Sequence, residues 1–177
     1  MFVLGVDPGL SRCGYGVIER PEGSSAIVAR AAGVIETAPT EPLPQRLATV
    51  HLELGDLITQ FDPDAVVVER VFFQTNVRTA MSVGQVSGLA LAAAAAAGCV
   101  VVEYTANEVK QAVVGYGSAT KDQVQRMVAS LLGLAAPPSP PDVADALALA
   151  ICHVTTMPLR AAVAAASAGA LGTGGTP

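Results

Sequence analysis

Residues 2–9 read FVLGVDPG. The apolar run Phe2 to Val6 stops at Asp7, and Pro8-Gly9 then turns the chain. A short apolar run bounded by a turn reads as a buried strand, here closed by an aspartate. Residues 65–69, AVVVE, repeat the arrangement with Glu69 at the end. A carboxylate at the carboxyl end of a buried strand stands at the edge of the sheet, where open α/β sheets place their ligands.

Outward from these two segments, Gly14–Glu19 (GYGVIE) and Ala26–Glu36 (AIVARAAGVIE) read as the second and third strands. Pro21-Glu22-Gly23 is a turn between them. Short connections suggest an antiparallel meander. A helix follows, with Pro42 and Pro44 at its start. Leu47, Val50, Leu54, Leu57 and Ile58 recur in it at spacings of three and four, and it ends near Phe61. After AVVVE comes a helix from about Arg78 to Ala97, closed by Gly98, and then a fifth strand, Cys99–Tyr104. Helices are expected at Ala106–Val114, at Lys121–Leu132, and from Pro140-Pro141 to about Thr156. Strands one, four and five are joined by helical crossovers and should be parallel. The class is α/β: a mixed five-stranded sheet flanked by helices, in one domain over residues 1–157. From residue 158 to 177 the composition is dominated by Ala, Gly, Ser, Thr and Pro, which reads as a flexible tail.

The bulk properties suit this. Of 177 residues, 51% are hydrophobic and 14% charged, enough for a core and unlike a disordered chain. Asp7 and the lack of a basic start exclude a secretory signal peptide. The apolar stretch Gly88–Val102 is shorter than the ~20 residues a membrane span needs. Cys13, Cys99 and Cys152 make no disulfide framework and lack zinc-ligand spacing. The reading is a soluble, cytoplasmic protein with reduced thiols and no membrane partner. The net charge of −5 counts against nucleic acid only in total. A binder of this composition would confine its basic charge to one face.

Two further acids lie in PPDVADALALAICH, residues 140–153. Spacing of three puts Asp142 and Asp145 on one helix face, while Leu147, Ile151 and Val154 hold that helix to the sheet. Asp7, Glu69, Asp142 and Asp145 converging on one edge would repel and raise each other's pKa. A hard divalent cation resolves that conflict, and all-oxygen ligation points to Mg²⁺ or Mn²⁺ rather than zinc. Two ions ~4 Å apart could activate a water and stabilise the leaving oxygen of a phosphodiester. Singly, the acids have plainer readings. Asp7-Pro8-Gly9 makes a turn, Glu69 a solvated strand end, and Asp142 a charge at a helix start behind Ser139. Asp145 is harder to excuse, because it interrupts a nearly continuous apolar run.

The lysines, Lys110 and Lys121, flank Gly115-Tyr116-Gly117-Ser118, a loop able to bring backbone N–H groups to a phosphate. The plainer reading is two solvated helix ends. Phe72 and Phe73 are adjacent, so both can hardly be core; one ring could stack on bases. Arg70 and Arg78 flank that segment. Neither His51 nor His153 is placed as a nucleophile's partner.

GVDPGLSRCGYGVIE, VVVERVFFQTN, GQVSGLALAAAA, VKQAVVGYGSATKDQV and PPDVADALALAICH together resemble the RuvC family of Holliday-junction resolvases, in that family's order, over about residues 1–157. The resemblance implies an RNase H-like fold and a homodimer that nicks two opposed strands of a four-way DNA junction with Mg²⁺ or Mn²⁺, two ions per active site. It places the family's metal-binding acids on Asp7, Glu69, Asp142 and Asp145. It places the lysines near the scissile phosphate on Lys110 and Lys121, and the junction-contacting aromatic on Phe72, with Phe73 adjacent. It also implies a branch-migration motor as a partner. The acidic net charge is a departure.

Two rivals remain from the sequence. Actin-like ATP-binding proteins also open with a strand, D-x-G and a second strand, but need a second half for which 177 residues leave no room. A non-catalytic relative that scaffolds nucleic acid or protein would not need the full set of four acids.

Overall fold

The computed structural model describes residues 1–70 and 77–171, and the side chains among them except that of Arg78 and those after residue 157. Its elements are β1 (Phe2–Asp7), β2 (Arg12–Glu19), β3 (Val28–Glu36), α1 (Leu43–Phe61), β4 (Ala65–Glu69), α2 (Val77–Ala96), β5 (Val100–Tyr104), α3 (Ala106–Val114), α4 (Lys121–Leu131) and α5 (Pro141–Leu171). One sheet runs in the order β3-β2-β1-β4-β5. The β1–β2 and β2–β3 pairs are antiparallel, and β1–β4 and β4–β5 are parallel. This is the mixed five-stranded sheet expected from the helical crossovers.

Alternation along the strands sorts the core into two layers. Val3, Ile18 and Val67 pack with Leu147 and Ile151 of α5. Leu4, Val6, Val17, Val66 and Val68 face the other way and pack with Val50 and Leu54 of α1 and Val86 and Ala90 of α2. By the same parity Asp7 lies on the side of Val3, and Glu69 on the side of Val67. Both acids therefore belong to the face that α5 covers.

Glycine lets α5 come down close. A Cβ on Gly5 would collide with the Ala146 carbonyl, and one on Gly14 with the Asp142 carbonyl. The first turns of α5 thus rest directly on the backbone of β1 and β2. Leu147, Ile151 and Val154 are buried beneath the helix, each worth about 1.5–3 kcal/mol of apolar burial.

Three boundaries differ from the sequence reading by two residues or more. The second strand begins at Arg12 rather than Gly14, because the β2–β3 ladder continues to the Arg12–Glu36 pair. The third begins at Val28 rather than Ala26. Helix α5 runs to Leu171, past Thr156 and past residue 158, where a flexible tail was expected to begin. Alanine, the best helix former, carries it on. Residues 172–177 lie outside the described residues.

Candidate active site

Asp7 pairs with Gly14 across the β1–β2 ladder. In the parallel β1–β4 ladder Val6 pairs with Val68, so Asp7 and Glu69 are the next residues along two adjacent strands. Asp142, in the first turn of α5, stacks over Gly14, and Asp145 follows three residues on. Two strand ends and one helix start thus bring the four acids to one edge of the sheet.

The protonation energetics bear on this proximity. Burial, first, pushes the Asp7 carboxyl from an ordinary 3.8 up to about 7, and the charges of Glu69, Asp145 and Asp142 add to it, against Lys121. Glu69 is also raised, by burial and then by Asp145, while Lys121 and a hydrogen bond with the Asp7 carboxyl oppose the rise. The two strand-end acids are thus more negative than their surroundings can support.

Two cations meet the helix-borne acids. Lys121 Nζ stands 2.6 Å from Asp145 Oδ2. The Thr120–Gln123 capping box fixes where α4 begins, and Lys121 is its first residue. The hydrogen bond to Asp145 raises the Lys121 pKa, against burial, and Asp145, Asp7 and Asp142 add their charges. Arg12 Nε lies 3.4 Å from Asp142 Oδ2. Sequence reasoning did not single out Arg12. Its only signal is position, at the start of a strand that runs back alongside β1.

A cavity of about 280 Å³ opens beside the acids, lined by Glu69, Asp145, Lys110 and Lys121 over Val109 and Val124. Lys110 therefore stands on the same concavity as Lys121. Phe72 and Phe73 lie outside the described residues, as does the side chain of Arg78. His51 is exposed, and His153 is buried with Nδ1 3.1 Å from the Tyr104 hydroxyl, a packing role between β5 and α5.

Among the described residues, no three Asp, Glu, His or Cys side chains are already drawn together tightly enough to grip an ion. Asp145 and Asp142 are instead each engaged by a protein cation. The donor set nonetheless fits a hard divalent ion: it is all oxygen, and the raised Asp7 and Glu69 carry the charge that such an ion would offset.

Residues 3–153 match the family model "Crossover junction endodeoxyribonuclease RuvC". The protein of that name from Salinispora arenicola (strain CNS-205) is 50% identical over 167 residues, which cover 94% of this chain and 95% of the relative. Its counterpart from Alkaliphilus oremlandii (strain OhILAs) is 49% identical over 156 residues, 88% of this chain and 94% of the relative. Thermus thermophilus RuvC, solved in complex with Holliday junction substrate, superposes with a TM-score of 0.85 at 37% identity, covering 90% of this chain and 96% of that one. The architecture is thus the RNase H-like one. The family match spans the first strand, the acid-bearing strand ends and the buried turns of α5 as far as His153. The chain therefore belongs to the RuvC family of crossover junction endodeoxyribonucleases.

Proposed function

We propose that this protein is a structure-selective endonuclease that resolves Holliday junctions by paired symmetric nicks, in DNA recombination and repair. The observation that carries the reading is the meeting of Asp7, Glu69, Asp142 and Asp145 at one sheet edge, where burial first and the neighbouring acids after it lift Asp7 to about 7. Neither an ATP site nor a passive scaffold calls for that arrangement, and the relatives above carry the nuclease's name.

The four acids would hold Mg²⁺ or Mn²⁺. Two such ions, when bound, supply Lewis-acid activation of water and neutralisation of the leaving oxygen at a phosphodiester. The chain's own part is to hold this charge in place. Burial makes Asp7 and Glu69 costly to ionise alone, which favours a cation over bulk water as their partner. Lys121 brings an ammonium to the same acids and would offset negative charge building on the phosphate. Lys110, across the cavity, would contact the DNA backbone. Phe72 or Phe73 would stack on or wedge between bases at the opened junction, with Arg78 on a phosphate nearby.

A homodimer would present two such sites to a symmetric junction. Supporting it, residues Thr79–Ala96 of α2 form a stretch of mean hydropathy 1.3 of which only 22% is buried, and Val77 and Met81 are exposed. Val86, Ala90 and Ala94, four residues apart, fix one side of α2 to the sheet. The remaining apolar surface is available to a second copy. By length and composition alone that stretch could also cross a membrane. Its docking on the sheet favours the dimer. The free thiols of Cys13, Cys99 and Cys152 suit the cytoplasm. A branch-migration motor as a further partner rests on the family resemblance.

The test is a labelled synthetic four-way junction incubated with Mg²⁺, with Mn²⁺ or with EDTA. Symmetric nicks leaving 5′-phosphate and 3′-hydroxyl ends, only with divalent metal, are expected. Tight ATP binding with no action on branched DNA would overturn the reading.

A further inference from the structure

An acidic protein that grips a polyanion must concentrate its cations, and this chain has 10 Lys+Arg against 15 Asp+Glu. The sheet supplies a line along which to place them. Strand β2 runs antiparallel to both β1 and β3, so it begins at the edge where those two end. Thr37 just after β3, Arg12 of β2, Asp7 of β1 and Glu69 of β4 therefore follow one another along a single edge.

Two arginines occupy the β3 side of that edge. Arg12 is exposed and reaches Asp142 through Nε. Arg46 rises from the first turn of α1, beneath the opposite face of the sheet. Its Nε donates to Thr37 Oγ1 at 2.9 Å and its Nη2 to Ser11 Oγ at 2.7 Å. Thr37 is buried, and its hydroxyl donates to the Leu10 carbonyl. The Arg46 guanidinium is thus fixed to the turn that leads out of Asp7, and that of Arg12 to the start of α5 beside it.

The partners of Arg46 are neutral. Among the described residues no carboxylate lies within ion-pair reach of it. Two hydroxyls orient the guanidinium without discharging it. Arg12, by contrast, is ion-paired to Asp142 through Nε, and no second partner holds its guanidinium among the described residues. A planar fork held by one edge with the other edge open suits the oxygens of a phosphate.

We propose that Arg12, Ser11 and Arg46 form a phosphate-binding strip that leads the DNA backbone to the acids from the β3 side, opposite Lys110 and Lys121. The strand crosses the negative centre between two cationic shoulders, which is how a chain of net charge −5 can hold DNA. This rests on the junction reading above and names a path that reading leaves open.

The test is the salt dependence of junction binding in EDTA, read by fluorescence anisotropy between about 50 and 200 mM salt. Arg12→Gln and Arg46→Gln should each reduce the slope of log K against log salt by about 0.9, and the double variant by about twice that. Arg30→Gln, whose partner Glu19 lies at the opposite edge, should leave the slope unchanged. Leu43→Glu guards against misfolding. It sets a carboxylate three residues before Arg46 on the exposed start of α1 and leaves the Thr37 and Ser11 bonds in place. It should weaken binding and flatten the slope as Arg46→Gln does. A wild-type slope in folded Arg46→Gln and Leu43→Glu overturns the strip while the junction reading stands. A wild-type protein that binds no junction at any salt overturns the junction reading, and the strip with it.

Discussion

The Lys121 ammonium and the Asp145 carboxylate stand 2.6 Å apart, one on the first residue of α4 and the other one turn into α5. With 61% of the lysine side chain and 28% of the aspartate exposed, the pair contributes little to folding, about 0–1 kcal/mol. Lys121→Ala is therefore expected to leave the melting temperature nearly unchanged and to slow single-turnover cleavage on the order of 10²–10³-fold. Equal losses of stability and rate would make the lysine a structural residue.

Asp7→Asn and Glu69→Gln should abolish cleavage while a junction gel shift in EDTA persists. Each amide removes a buried carboxylate that its neighbours disfavour. Metal-free Asp7→Asn should accordingly melt higher than wild type at about pH 8, and the gain should shrink as pH falls through about 7 and vanish only below the ordinary value of 3.8. Normal cutting by Asp7→Asn would show that the chemistry lies elsewhere.

Asp7 also sets a pH dependence of stability. Its folded value of about 7 exceeds its ordinary 3.8, so between those limits the folded state binds the extra proton. The stabilisation is full below the ordinary value and is lost as pH rises through about 7. A divalent ion competes with that proton. Added Mg²⁺ or Mn²⁺ should raise the melting temperature more at about pH 8 than at about pH 5.5, and calorimetry near neutrality should register proton release on binding. Equal metal-induced shifts at both pH values would exclude Asp7 as the group that exchanges its proton.

Gly14→Ala tests the seating of α5. The added methyl meets the Asp142 carbonyl, so the helix start must lift. A loss of about 1–3 kcal/mol is expected in urea unfolding. Cleavage should fall further than stability, because Asp142 moves with the turn. Unchanged rates at full folding would mean that the position of Asp142 is not critical.

Much of this was legible in the residues. Period-two alternation in FVLGVD and AVVVE already assigns Asp7 and Glu69 to the same faces as Val3 and Val67. Residues 65–69 and 106–114 matched their elements because an apolar run or a capping pair marks each end. The start of β2 was hidden, since Arg12 and its partner Glu36 are exposed and carry no apolar signal. Arg46 was hidden for a different reason. Its meaning lies in Thr37 and Ser11, which only the assembled sheet brings to it. The alanine-rich end of α5 reads equally as helix or as tail, because it lacks the large apolar side chains that would commit it to a core.

None of the four acids is carried by a connecting loop: two close strands and two open a helix. The segments between these elements can therefore lengthen, shorten or change sequence without disturbing the hydrolytic geometry. Descendants of such a scaffold can retune which branched substrates they embrace while inheriting the cutting chemistry intact.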